Sequence, residues 1–109
     1  MRTELPVLAQ PRMDLAAPDV VTAQAVAALI ADRTRISILR MLRDGPHCVC
    51  EMAAALGERE NNVSNHLAKL RDAGLVRASR HEANGRFLYY ERDEAATARA
   101  LAALTDVLA

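Results

Sequence analysis

Apolar positions along this chain recur with a helical period for most of its length, and with a period of two in one late stretch. "VVTAQAVAALI", from about Val20 to Ile30, is apolar round most of its circumference. A helix of that kind must be covered on more than one side, by its own fold or by a partner subunit. In "ADRTRISILRMLRDGP", Asp32 stands where an N-cap is wanted, and Ile36, Leu39 and Leu42 recur at helical spacing with Ile38 and Met41 beside them. Asp44-Gly45-Pro46 then ends the helix, because Gly adopts the left-handed cap and Pro has no N–H to continue it. Cys50 to Leu56 predicts a short helix closed by Gly57. Glu60 to Ala73 predicts a longer one, with Val63, Leu67 and Leu70 on one stripe and Gly74 at its end.

The period changes after Gly74. "LVRASR" and "RFLYYER" are β-rich runs joined by Glu82-Ala83-Asn84-Gly85, and Asn-Gly is a strong hairpin signal. Asp93 to Leu108 returns to an Ala/Leu helix. Residues 1–18 contain Pro6, Pro11 and Pro18 without a sustained period and read as an N-terminal arm; residues 19–109 read as one domain. The expected class is mainly α with a β-hairpin wing, in the order α-α-α-α-β-β-α. Two helices joined by a tight glycine turn and followed by a two-stranded ribbon is the winged helix-turn-helix plan. An α+β domain whose hairpin only caps a bundle shares that order, so the exposed residues have to decide.

Composition narrows the reading. The 109 residues are 51% hydrophobic but only 3% aromatic, so the core is built from Ala, Leu, Val, Ile and Met, which suits helices lying close together. No apolar run approaches the roughly 20 residues of a membrane span, and the start of the chain lacks the pattern of a secretory leader. The expectation is a cytoplasmic protein with no membrane partner. Two cysteines do not make a disulfide framework, and residues i and i+2 bridge poorly, so reduced thiols are expected. The formal net charge is zero. The positive charge is local, however: Arg59, Lys69, Arg71, Arg77, Arg80, Arg86 and Arg92 outnumber Glu60, Asp72, Glu82 and Glu91 in that stretch. A local patch is enough for phosphate contact.

Asn61, Asn62, Ser64, Asn65, His66 and Lys69 crowd the 60–73 helix away from its apolar stripe. Asn sets a donor beside an acceptor and so matches the major-groove edge of adenine. Ser and His can bond bases or phosphates, and Lys suits a phosphate. Arg80 and Arg86 flank the hairpin tip, as expected of a wing laid along double-stranded DNA. Tyr89 and Tyr90 are expected to pack under the hairpin, and His81 to face solvent. One feature works against the reading: Arg59 or Glu60 stands where Ser or Thr would cap this helix, and Glu60 brings negative charge near the expected phosphates. No Ser/His/Asp set, glycine-rich phosphate loop or Cys-x-x-Cys in a βαβ setting suggests an enzyme. A winged-helix face that binds protein instead of DNA remains a third class.

"RTRISILRML…CVCEMAAALG…NNVSNHLAKLRDAGLV…GRFLYY" resembles the ArsR/SmtB family of bacterial metal-responsive winged-helix repressors, from about Ala27 to Tyr90 and into the last helix. That resemblance implies a homodimer joined through the first and last helices. It also implies an inverted-repeat operator, released when a metal or metalloid binds. Cys48-Val49-Cys50 is similar to the inducer site of the arsenic-, cadmium- and lead-sensing branches. Thiolates are the soft ligands that As(III), Cd(II) and Pb(II) prefer, so As(III) or an organoarsenical at Cys48 and Cys50 is the inducer the resemblance implies. On an α-helix, residues i and i+2 point about 200° apart, so a shared ligand requires the first turn to be extended or to unwind. The pattern departs from three-thiol sites: position 53 is Ala and the arm has no Cys. His47 or Glu51 could complete a Cd(II), Pb(II) or Zn(II) site, and the same cysteines could respond to oxidants or reactive sulfur without metal. They could also be small buried hydrophobes. The last helix offers Asp93, Glu94 and Asp106 but no His, so no metal is expected there.

Overall fold

The computed structural model describes residues 14–80 and 88–109, with Arg80 described through its backbone alone. Among these described residues, five helices and three short strands follow in the order α1 (Pro18–Ile30), α2 (Arg33–Leu42), β1 (His47–Cys48), α3 (Val49–Leu56), α4 (Glu60–Asp72), β2 (Val76–Arg80), β3 (Leu88–Arg92) and α5 (Glu94–Leu108). The expected class holds: this is a mainly helical winged helix-turn-helix. Residues 1–13 of the expected arm lie outside the described residues, as do His81, Asn84, Gly85 and Arg86 of the expected wing.

Local chemistry accounts for most element ends. Pro18 opens α1 at a position where a missing N–H costs nothing. Asp32 caps α2 by accepting from the Thr34 and Arg35 amides at 2.8 and 3.1 Å, and Asp93 caps α5 by accepting from Ala96 at 2.9 Å. Gly57 ends α3 in the left-handed region at φ 66°, where a side chain would be strained. That turn brings α4 across α3 and completes the helix-turn-helix.

The core is one cluster. Val63, Leu67 and Leu70 of α4 are essentially fully buried against Ile38 and Leu42 of α2 and Met52 and Ala53 of α3. Leu75, Val76 and Ala96 close it from the sheet side. The α4 stripe is the expected one, and in α2 Leu42 and Leu39 pack as expected, but the isoleucine is exchanged. Ile38 is fully buried, whereas Ile36, expected to lie on the apolar face, is 50% exposed. Both faces of α2 carry a β-branched residue, and only packing against α4 chooses between them.

A second difference is the sheet. The hairpin strands pair in antiparallel register from Val76↔Arg92 to Arg80↔Leu88. A third strand, not expected from the sequence, pairs on the other edge of β3 with His47↔Tyr90 and Cys48↔Tyr89, giving the order β1-β3-β2. Two residues are too short to show a period; the strand exists because β3 offers it an edge. Tyr90 packs against the core.

Helix α1 lies along α5, and between them runs a groove of about 570 Å³ lined largely by Val21, Ala25, Val26, Leu29, Leu75 and Ala100. Val20, Val21, Leu101, Val107 and Leu108 of these helices are exposed. No helix among the described residues is long and apolar enough to cross a membrane.

Two stability predictions follow from these contacts. Ile38→Ala should cost about 2–5 kcal/mol in urea denaturation, as for other fully buried aliphatics, while Ile36→Ala should stay within about 0.5 kcal/mol. The second concerns acid. Backbone amides at the starts of α2 and α5, those of Arg35 and Ala96 foremost, hold the carboxyls of Asp32 and Asp93 below the usual carboxylate range. Their contribution is therefore present above about pH 4 and is lost as pH falls through the lowered folded values. Asp32→Asn with Asp93→Asn keeps a capping oxygen but no titration. The double variant should melt below the wild type at pH 7, lose stability less steeply between pH 5 and pH 2, and so approach the wild type at the acid end.

Candidate nucleic-acid interface and thiol site

The buried stripe of α4 leaves its opposite face outward. Asn61, Ser64, Asn65 and Lys69 are exposed together on that face. Asn62 is half-buried, and its Nδ2 donates to Glu58 Oε1 at 2.7 Å, so its amide is partly committed to the turn. No side chain caps α4, whose N-cap position is Arg59. Its first amides are therefore open to an anionic partner or to water, with the Glu60 carboxylate beside them.

His66 is placed differently from its neighbours. Its ring is only 15% exposed and faces α2, with Nε2 3.9 Å from Asp32 Oδ1 and Nδ1 3.3 Å from Arg35 Nη1. The structure thus brings Asn61, Ser64, Asn65 and Lys69 together on one surface and sets His66 aside. The backbone of Arg80 ends β2 opposite Leu88; Arg86 lies outside the described residues.

The basic patch is also thinner than the sequence implies. Arg77 is held by Glu91 at 2.9 Å and Asp93 at 3.5 Å. Arg92, 14% exposed, donates to Glu94 at 2.7 Å and to the Leu39 carbonyl at 3.1 Å. Both tie the sheet to neighbouring elements. Arg77 is nonetheless 56% exposed; outside these ion pairs, the exposed basic side chains among the described residues of the 59–92 stretch are Arg59, Lys69 and Arg71.

The cysteines sit where β1 becomes α3. Cys48 has extended backbone (φ −86°, ψ 165°) and is the N-cap of α3, its Sγ accepting from the Glu51 amide at 3.4 Å. Glu51 Oε1 accepts in turn from the Cys48 amide at 2.9 Å. This is a capping box with sulfur in place of a hydroxyl. Cys50 lies inside the helix. Because Cys48 is outside it, the helical 200° does not separate the pair; their Cα atoms are 5.4 Å apart and the sulfurs are joined as a disulfide. This corrects the expectation of reduced thiols that bridge poorly at i, i+2; of the two ways the pair could meet, it is the extended one that the structure takes, since Cys48 lies before the first turn. Cys48 is 4% exposed, whereas Cys50 is exposed.

Of the other expected ligands, His47 Nδ1 is 3.4 Å from Glu51 Oε1, the same oxygen that serves the cap. Neither is directed at the sulfur pair alone, and among the described residues no three His, Cys, Asp or Glu side chains group as a metal site. The arrangement offers two convergent sulfurs at a helix N-terminus. Sequence reasoning missed Arg35 and Asp32 as partners of His66, since their contacts span 31 and 34 positions; it also missed β1, which ties Cys48 to the wing strand.

Residues 32–78 match the family described as "Bacterial regulatory protein, arsR family". The chain is 37% identical over 73 residues to the arsenic resistance transcriptional regulator ArsR1 of Pseudomonas putida; the match takes in 66% of this chain and 55% of that protein. It is 43% identical over 79 residues to the HTH-type transcriptional regulator CmtR of Mycobacterium tuberculosis, covering 72% of this chain and 64% of that one. The chain thus spans between about half and two thirds of these curated relatives. A crystal structure of a "possible transcriptional regulatory protein" fragment from Mycobacterium bovis superposes with a TM-score of 0.63 at 30% identity, covering 86% of this chain and 97% of that one.

The unequal exposure of the two sulfurs has a direct consequence. In the reduced protein under native conditions, iodoacetamide should alkylate Cys50 at least about tenfold faster than Cys48. Time-resolved peptide mass spectrometry checks this, and equal rates in a folded protein contradict it.

Proposed function

Because the chain belongs to the arsR family of bacterial regulatory proteins, winged helix-turn-helix transcriptional regulators and not enzymes, we propose that it is a dimeric repressor acting in the cytoplasm on an inverted-repeat operator. A thiophilic metal or metalloid at Cys48 and Cys50 would release it. The observation that carries this reading is the convergence of both sulfurs at the N-cap of α3, on a strand hydrogen-bonded to the wing.

Each group has a role in that reading. Asn61, Ser64 and Asn65 read base edges, Asn62 does so to the extent that Glu58 releases it, and Lys69 meets a phosphate. Arg80 and Arg86 reach the backbone from the wing. The apolar faces of α1 and α5 join two copies, which makes residues 19–109 one DNA-binding and dimerisation unit. The inducer is As(III) or an organoarsenical. Two sulfurs and no third thiol match the two exchangeable bonds of a monosubstituted arsenical, and the named arsenic-resistance relative supports the element. Cd(II), Pb(II) or Zn(II) with His47 or Glu51 would first have to take Glu51 from the cap.

Release follows from the cap. A ligand bound to Cys48 Sγ withdraws the acceptor of the Glu51 amide and displaces β1, and β1 shares β3 with the wing. The preference for the released state needs only a few kcal/mol, on the order of 1–3. A second reading rests on the disulfide: oxidation of the pair would occupy both sulfurs and act on the same cap without any metal.

The test is fluorescence anisotropy of the reduced protein on labelled DNA from upstream of its own gene. Arsenite, phenylarsenite, Cd(II), Pb(II), Zn(II) and hydrogen peroxide are titrated separately. Phenylarsenite or arsenite should release the DNA, and Cys48→Ser and Cys50→Ser should each abolish the response. Release by peroxide alone transfers the reading to oxidation, and binding indifferent to all of them overturns both. Asn65→Ala should cost about 1–3 kcal/mol of discrimination against random DNA. Lys69→Ala should weaken binding to all sequences and reduce the salt slope by about 1.

A further inference from the structure

His66 and Arg35 form a contact that the DNA-reading face does not use. The Arg35 guanidinium donates to two carbonyls at the end of α1, from Nε to Leu29 and from Nη2 to Ala28. Its remaining terminal nitrogen, Nη1, lies 3.3 Å from His66 Nδ1 on α4. Asp32 caps α2 through the Oδ1 atom that also lies 3.9 Å from His66 Nε2. One side chain therefore joins the last turn of α1 to the middle of α4, and the imidazole is bracketed by a donor on one nitrogen and a carboxylate near the other. An arginine N–H can only donate, so Nδ1 accepts and the ring proton sits on Nε2, toward Asp32.

We propose that His66 is a positioning residue. It does not contact DNA but, through Arg35, fixes the angle of the recognition helix relative to α1. The inference rests on the reading of α4 as the DNA-binding helix. Geometry supports it over a direct contact in two ways. The ring is 15% exposed and turned toward α2, while Asn61, Ser64 and Asn65 of the same helix are exposed. And each terminal nitrogen of Arg35 already has a partner, so the guanidinium is not presented to a phosphate. The planar fork matters: a lysine offers a point charge and cannot span two carbonyls and an imidazole at once.

The experiment is a double-mutant cycle on operator affinity, measured at several salt concentrations, with Asn65→Ala as the reference for a lost base contact. His66→Ala and Arg35→Ala should each weaken binding by roughly tenfold, and the double variant should be no weaker than the weaker single one. The salt slope should stay at the wild-type value in all three. His66→Asn, which returns an acceptor near the Nδ1 position, should recover most of the affinity, and Arg35→Lys should not. Losses that multiply, or a slope that falls by about 1 with either alanine variant, make these residues direct contacts and overturn the proposal. Ring ¹⁵N shifts of the wild-type protein test the same geometry without any variant: an Nδ1–H tautomer overturns it. If the wild type does not bind the operator at all, the DNA-binding reading has failed and the positioning role goes with it. If wild type binds and only Asn65→Ala behaves as expected, the failure belongs to the joint alone.

Discussion

The burial of Val63, Leu67 and Leu70 is the contact on which the rest of the molecule depends. These three side chains occupy one stripe of α4 and meet the apolar sides of α2 and α3, and they fix the rotation of that helix about its own axis. Once the stripe is inside, positions 61, 64, 65 and 69 have nowhere to go but outward. The surface proposed to meet DNA is therefore set by what the opposite surface buries. Met52 and Ile38, both fully buried, form the floor on which this happens, and the left-handed turn at Gly57 sets the crossing of α3 and α4.

Much of this was legible in the residues. The α4 stripe, the Asp32 cap, the glycine at the end of α3 and the two wing strands all depend on neighbours in sequence, and local chemistry announces them. What was not legible depends on distant partners. Ile36 and Ile38 are indistinguishable by type, and only the approach of α4 decides that Ile38 is the buried one. Strand β1 has no pattern of its own and exists because β3 has an open edge. His66 looked like one more polar residue on a recognition helix until Arg35 and Asp32, more than 30 positions away, were seen to face it.

The charge distribution carries the same lesson. A count along the chain treats every arginine between 59 and 92 alike, but Arg77 and Arg92 are committed to carboxylates and a carbonyl that hold the sheet in place. Surface pairs of this kind add little stability. Their effect here is on what is left over. With those two engaged, the exposed basic side chains outside such pairs, among the described residues of that stretch, are Arg59, Lys69 and Arg71, all on or beside α4. In the proposed reading, so small a patch would let a chain of zero net charge hold a phosphate backbone and still let go of it, since affinity that rests on few ionic contacts changes gently with salt.

The cysteine pair and the Arg35–His66 contact act on the reading unit from opposite sides. Cys48 caps α3 with its sulfur and pairs through its backbone with Tyr89 of the wing strand. Any event at that sulfur disturbs the start of the helix-turn-helix and the sheet together. Arg35 ties α4 to the end of α1, a helix whose exposed apolar face is the candidate for pairing with a second copy. In the proposed dimer the α1–α5 faces would set the distance between two recognition helices, and Arg35 would carry that distance to the angle at which each helix is presented. A disturbance at Cys48 then does not have to destroy a recognition surface to release DNA. It has only to shift α3 and the wing against an α4 that remains tied to α1, because two half-sites read at fixed spacing tolerate little change in either. The energetic demand on a sensor at Cys48 would be small for that reason, and one capping hydrogen bond at a helix start is of the right size to supply it.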